Sequence, residues 1–280
     1  METFLRPRFR ILLIVLAGAL LLFLGAFRFH SRARTPALAK LSTPAVVKRS
    51  MSASRISQLP ATIVWAWERP EQLDFIDPQK IGVAFLAKTI YLRGDRVVSR
   101  PRLQPLSLPA GASVIAVARI ESEHFERVAL SPEQLTETVA EISELASAPN
   151  VVMVQVDFDA TTTERAFYRA LLKDLRSKLP PATLLSITAL ASWCKGDNWL
   201  EDLPVDEAVP MLFRMGIERK QFLAQLAAGA GFNSSPCQAS AGVSLDEPLT
   251  ELPPVQRLYV FNPGVWSPGA VQQMMETYKR

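Results

Sequence analysis

Residues Val151 to Ala160 read VVMVQVDFDA, an apolar run that stops at two carboxylates, Asp157 and Asp159. A strand that is apolar on both faces suits a parallel sheet covered by helices. In barrels and open α/β sheets, chemistry gathers at the carboxyl ends of such strands. The segment therefore proposes both an architecture and a place to look for a site.

Seven other runs have the same character: Ala61 to Trp67, Ile81 to Ala87 with an extension toward Leu92, Val114 to Ile120, Leu184 to Ser192, Ala208 to Phe213, Ser240 to Leu245 and Arg257 to Phe261. Eight parallel strands are what a closed (β/α)8 barrel requires. Helix signals fall between several of them. Ser131-Pro132-Glu133-Gln134 places Ser at the N-cap and Pro at the first helical position, opening a helix to about Ser147. Thr161 to Glu164 forms a second capping box, for a helix ending before Pro180-Pro181. Ile217 to Ala228 reads as a third helix, stopped by Gly229, and Ser267-Pro268 starts the last. A short helix is expected after Pro70. Arg93 to Pro109 and Asp246 to Pro254 have no helical period, so the second and seventh helices of the barrel should be loops or hairpins. The expected fold is thus α/β, TIM-barrel-like, with helices 2 and 7 replaced by loops, after an N-terminal transmembrane helix. An open doubly wound sheet is the alternative, but no Gly-rich phosphate loop follows any strand to support a nucleotide fold.

The N-terminus carries a topological signal. Residues 1–10 are basic, with Arg6, Arg8 and Arg10, and residues 11–27 form a continuous apolar run. Its length, about 17 residues, is near the lower limit for crossing a bilayer and long for a signal-peptide core. An uncleaved anchor is favoured over a peptide cut at the distant Ala37-Leu38-Ala39. Residues 28–58 are rich in Arg, Ser, Ala and Pro and read as a linker, which leaves 59–280 as the barrel domain. Both flanks of the apolar run carry three arginines, so the positive-inside rule does not orient it. A short basic N-terminus ordinarily stays in the cytoplasm, which would place the domain in the bacterial periplasm on a single inner-membrane pass.

The net charge of +4 is mild and concentrated near this basic flank, and no basic helix with interleaved aromatics occurs, which argues against nucleic acid as a partner. Hydrophobic residues make up 49% of the chain, enough to exclude a disordered polymer. Cys194 and Cys237 are the two cysteines. They fit one disulfide in an exported domain or two unrelated thiols. With His30 and His124 far apart, a zinc site of the Cys/His type is not expected, and no other metal or cofactor is indicated.

On a barrel, the strand ends bring Trp67, Glu68, Lys88, Arg119, Glu121, Asp157, Asp159, Trp193, Arg214, Asn262 and Trp266 toward one mouth. Aromatic faces that stack on sugar rings, beside paired carboxylates for acid and base work, are the ingredients of a carbohydrate site. Asp157, Asp159, Glu68 and Glu121 are the catalytic candidates. Trp67, Arg119, Trp193, Arg214, Asn262 and Trp266 are the substrate-binding candidates. Asp157 and Asp159 alternate about Phe158, so an extended chain points both the same way. Like charges held close raise one pKa, which can produce a general acid; an ion pair with Arg119 or Arg214 is the structural alternative.

Gln155-Val156-Asp157-Phe158-Asp159 resembles the fourth-strand motif of the chitinase-like glycoside hydrolases, which are (β/α)8 barrels. Met211 and Phe213-Arg214 fall where that family has its Met-x-Tyr-Asp stretch, and Trp266 falls near its strand-eight tryptophan. Two positions depart from the pattern: Thr161 stands where the family has its catalytic Glu, and Arg214 replaces the strand-six acid. A second resemblance runs from about Ile63 to Trp266, through IVWAWERPEQL, VDFDATTTERAFYRALLKDLR, SITALASWC and DEAVPMLFRMG, to an uncharacterised bacterial family of barrel-like domains of unknown function. The second resemblance implies fold and bacterial origin only; with the apolar N-terminus and the strand-end residues, the first points to a membrane-anchored domain that acts on, or binds, an envelope oligosaccharide or peptidoglycan-like ligand. In the enzyme version Asp159 is acid or stabiliser and Asp157 tunes it. A non-catalytic glycan-binding module and an envelope scaffold are the alternatives.

Overall fold

The computed structural model describes residues 55–278, apart from His124 and Ala230. Eight strands build the domain: β1 (Thr62–Ala66), β2 (Ile81–Arg93), β3 (Val114–Ser122), β4 (Val151–Asp157), β5 (Leu184–Leu190), β6 (Glu207–Met211), β7 (Ser240–Ser244) and β8 (Arg257–Phe261). Each pairs in parallel with the next. β8 returns to β1 in register, with Thr62 opposite Leu258 and Trp65 opposite Phe261. The sheet is therefore a closed barrel, and the open-sheet alternative is excluded.

Closure sorts each strand's residues by parity. One set meets inside the barrel: Ile63, Trp65, Ala84, Ile115, Val117, Met153, Leu184, Val209 and Tyr259. The other set, including Val64, Val154, Val156 and Leu185, packs outward against the helices. Both faces are buried, which is why the strands read as unbroken apolar runs.

The helices are α1 (Pro132–Ser143), α2 (Arg165–Lys178), α3 (Ala191–Gly196), α4 (Arg219–Ala227) and α5 (Pro268–Thr277). The Ser131 side chain accepts the Gln134 N–H at the start of α1, and Ser267 does the same for Ala270 at the start of α5. A 3-10 turn, Glu144–Ser147, extends α1. Glu164 Oε2 accepts from both the N–H and the Oγ1 of Thr161, closing the turn that leads into α2. α2 buries Phe167, Tyr168, Leu171, Leu172 and Leu175, one helical stripe, against the barrel.

Residues 94–113 hold a hairpin strand, Arg96–Pro101, paired antiparallel with β2, and residues 245–256 hold no helix. Both match the expected loops. The short helix expected after Pro70 is absent. Glu71–Gln72 instead forms a two-residue strand beside Leu106–Ser107. The strand partner explains the difference: Glu71 N–H donates to the Pro105 carbonyl at 3.0 Å and Leu73 N–H to the Ser107 carbonyl at 2.8 Å, while just upstream the Arg102 guanidinium donates to the carbonyls of Ala66, Trp67 and Arg69. A second correction concerns the end of β5. The run expected to reach Ser192 stops at Leu190, and Ala191 begins α3.

Among the described residues no helix is long and apolar enough to cross a membrane. The expected anchor at 11–27, the basic residues 1–10 and most of the 28–58 linker lie outside the described residues.

Polar groups inside the barrel are paired. At one level Trp65 Nε1 donates to Gln155 Oε1 at 3.0 Å, and Gln155 Nε2 donates to Ser186 Oγ at 3.1 Å. Nearer the amino ends of the strands, the fully buried Glu207 accepts from Arg257 at 2.8 Å, from Tyr259 OH at 2.7 Å and from Ser240 Oγ. Burial and the neighbouring Glu207 charge push the Tyr259 phenol well above its ordinary range. Arg257 also donates to the carbonyls of Ile56 and Pro60, fastening the entering chain to this end of the barrel.

Candidate functional site

At the carboxyl ends of the strands lies an open cavity of about 490 Å³. Its floor includes the Trp65 indole, which reaches across the interior over Gly242: a Cβ on that glycine would sit 2.9 Å from the ring. The walls are aromatic. Phe213, just past β6, stacks on Phe261 of β8 with ring centroids 5.7 Å apart and planes parallel to within 1°. Trp67, just past β1, meets Phe261 edge-on at 6.4 Å. Phe222 of α4 closes another side.

Asp157, the last residue of β4, stands in this mouth at 8% exposure. Thr188 Oγ1 of β5 donates to its Oδ1 at 2.6 Å, and an Arg119 nitrogen lies 4.0 Å from its Oδ2. Burial pushes the Asp157 pKa up to about 6; the Thr188 hydrogen bond opposes the rise, the Asp159 charge adds to it, and Arg119 again opposes it. Asp159 lines the same cavity because Phe158 turns the other way, packing edge-on to Tyr168 at 5.2 Å between centroids. Desolvation raises the Asp159 pKa too, against the pull of Arg119.

Arg119 ties the mouth together. Its Nε pairs with Glu121 at 2.7 Å, and its guanidinium carbon lies 5.9 Å from the centre of the Trp67 ring. Arg214 lies over Phe261 at 5.4 Å and pairs with Asp246 at 3.4 Å. Its backbone is left-handed, with φ at 53°, a conformation that costs a non-glycine residue about 1–3 kcal/mol. The Glu247 carboxylate accepts the Arg214 N–H and helps hold it there.

Five of the sequence candidates thus share this cavity: Trp67, Arg119, Asp157, Asp159 and Arg214. Glu121 adjoins it through Arg119. The other four lie elsewhere. Glu68 lines a separate cavity with Lys88 and Arg102, beside the hairpin. Trp193 is buried on α3, edge-on to Trp199 at 4.8 Å with Arg165 above it, because the chain turns into helix at Ala191. Trp266 is buried too: its Nε1 donates to the Trp65 carbonyl at 2.8 Å, and its backbone N–H donates to Glu71. Burial raises the Glu71 pKa while that hydrogen bond opposes the rise. Asn262 closes a turn, accepting from Gly264 N–H and donating to the Val265 carbonyl.

Thr188, Trp65, Phe222 and Phe261 complete the mouth and were not among the candidates. A signal for Thr188 was present: Ser186 and Thr188 alternate within the apolar LLSITAL run, and alternate residues of a barrel strand face its axis.

Cys194 and Cys237 form a disulfide with Cα atoms 5.8 Å apart. It joins α3 to the turn after α4, and Asn233 N–H donates to the Cys194 carbonyl at 2.9 Å beside it. The wall segment that carries Phe222 is therefore fastened to α3. Among the described residues no group of His, Cys, Asp and Glu could hold a metal ion.

No curated protein and no solved structure matches the chain, and no chitinase-like relative emerges. The sequence profile of one family, described as "Domain of unknown function (DUF3142)", matches residues 110–210. That stretch runs from just before β3 to the penultimate residue of β6 and contains Arg119, Asp157, Asp159 and Thr188; over it, the chain is similar to a family of unknown function.

Proposed function

We propose that the mouth of the barrel holds an oligosaccharide of the bacterial envelope and that Asp157 donates a proton to its glycosidic oxygen. The observation that carries this reading is the Asp157 carboxyl, raised to about 6 at the base of an aromatic-walled cavity and within reach of a second carboxylate. A carboxyl with such a pKa keeps a proton available near neutrality. Flat rings such as Trp67, Phe213 and Phe261 offer faces to the C–H surfaces of sugars.

In this scheme Asp157 protonates the leaving oxygen as its bond to the anomeric carbon breaks. Water adds to that carbon and yields a proton to Asp159, and exchange with solvent restores both carboxyls. The roles differ from the expectation that Asp159 is the acid, because Asp157 is the more deeply buried of the two. The disulfide favours an exported domain. With residues 11–27 as its anchor, the domain would face the periplasm.

A second reading, a glycan-binding module without turnover, is favoured by one observation. Thr161 stands where the chitinase-like pattern has Glu, and Glu164 is engaged in the turn before α2. The deciding experiment incubates the full chain, in detergent, with peptidoglycan strands and chito-oligosaccharides and follows release of reducing ends. Product formed by the native chain and lost in Asp157→Asn supports the enzyme. Saturable binding without products supports the binding module. Neither binding nor products overturns the carbohydrate reading.

A further inference from the structure

The hydrogen bond at the floor of the mouth is the first link of a longer chain. The Trp65 indole N–H donates to Gln155 Oε1, and Gln155 Nε2 donates to Ser186 Oγ. The Ser186 hydroxyl serves the Tyr259 oxygen, lowering the phenol pKa as a donor does. Tyr259 OH donates to Glu207, which is paired with Arg257. All five side chains from Trp65 to Glu207 are buried. Each donor along this line points away from the mouth, toward one buried carboxylate. Bonds aligned head to tail in a dry interior strengthen one another.

The chain passes directly beneath the proposed acid. Gln155 stands opposite Ser186 in the register of β4 and β5. Alternate residues of a strand share a face, so Asp157 and Thr188 form the next pair up on the same two strands. Asp157 and Thr188 line the cavity, whereas Gln155 and Ser186 do not. Trp65 joins the two layers. Its ring lines the cavity with the upper pair, and its N–H is held by the lower pair. The indole is thus fixed at both ends, its six-membered ring over Gly242 and its pyrrole N–H on Gln155. Neighbouring interior positions hold Ile63, Ile115, Val117 and Val209, which need no partner. An amide in such company costs free energy unless its groups are placed, so packing alone does not account for Gln155.

We propose that Gln155 is a positioning residue for the mouth: by holding the indole edge of Trp65 it sets the floor beside which a ligand meets Asp157, and it keeps water from beneath that carboxyl. This rests on the reading of Asp157 as the proton donor. Gln155 itself touches no ligand and moves no proton.

The test is a double-variant cycle on the full chain in detergent, read by carboxyl-carbon NMR titration of Asp157 and by the Trp65 indole N–H resonance. Gln155→Met keeps the length of the side chain and removes the acceptor. Trp65→Phe keeps a ring and removes the donor. Each should admit water under the carboxyl and bring the Asp157 midpoint down from about 6 toward its ordinary 3.8. The double variant should move it no further than the larger single change, because both break one link. Ser186→Ala, which leaves the Trp65–Gln155 bond in place, should move it least. On chito-oligosaccharides, kcat of Gln155→Met should fall about tenfold or more while KM stays within about twofold. Melting curves show which variants are folded; if Gln155→Met is not, Gln155→Asn, too short to reach the indole, takes its place. An Asp157 midpoint that stays near 6 or rises in the folded variant, additive shifts in the double variant, or an unchanged kcat overturns the positioning role and leaves the proposed acid standing. A native chain that neither binds nor cleaves, with the cycle as stated, overturns the carbohydrate reading and leaves the positioning role standing.

Discussion

Thr188 Oγ1 donates a 2.6 Å hydrogen bond to the carboxyl of Asp157, from β5 to the end of β4, and it is the chief interaction opposing the burial that raises this acid to about 6. A hydrogen bond to the ionised form lowers a carboxyl pKa. Thr188→Val keeps the shape and removes the donor, so the Asp157 pKa should move further up. A carboxyl-carbon NMR titration reads this directly, and any turnover should lose activity at a correspondingly higher pH. An unchanged or lower pKa in Thr188→Val would contradict the assigned role of the hydroxyl.

The same acid makes stability depend on pH. Its folded pKa, about 6, lies above its ordinary value of 3.8, so the folded state binds the proton more tightly than the unfolded state does. Stability from this group is full below the unfolded value and is lost as pH rises toward 6. At pH 7 the ionised Asp157 costs up to about 3 kcal/mol. Asp157→Asn should therefore stabilise the fold at pH 7.5 and leave it nearly unchanged at pH 4. Denaturant titrations of both proteins at the two values measure it; a variant less stable at pH 7.5 counts against the buried, proton-holding carboxyl.

Gly242 and Trp65 occupy one space. A Cβ at 242 would lie 2.9 Å and 3.2 Å from two carbons of the indole. Gly242→Ala should cost about 1–3 kcal/mol, the usual penalty for overpacking a core. The displaced indole should also change the tryptophan emission spectrum and weaken any ligand held in the mouth above it. Native melting temperature and emission in this variant would show that the floor has room to spare.

Glu207 and Arg257 form a buried pair at the opposite end of the barrel, 2.8 Å apart. Glu207→Gln strands the Arg257 charge and should cost about 3–5 kcal/mol. Glu207→Gln/Arg257→Met removes both charges and should recover part of that loss. Chemical unfolding of the three proteins gives the comparison, and a double variant no more stable than the single one would argue against a stranded charge as the cause.

Much of the barrel was legible because parallel strands buried on both faces appear as apolar runs, and eight such runs permit closure. The end of β5 was not, because Ala191, Trp193 and Cys194 are apolar and buried whether the chain is strand or short helix. The extended stretch after Pro70 was not legible because its backbone partners, the Pro105 and Ser107 carbonyls, lie more than 30 residues away. At the mouth, Asp157 and Asp159 could be read from their alternation about Phe158. Trp193 and Trp266 could not be told from core tryptophans, since a ring in an apolar segment carries the same local pattern in either place. The Thr188 hydrogen bond depends on strand neighbours and on closure, neither of which one segment records.

The most direct measurement is a calorimetric titration of the full chain in detergent with peptidoglycan glycan strands and with chito-oligosaccharides, repeated on Trp67→Ala and Phe261→Ala. These rings wall the mouth, so the account predicts saturable binding in the native chain and at least a tenfold loss in each folded variant. Binding that is indifferent to both substitutions, or the absence of binding in the native chain, would contradict it.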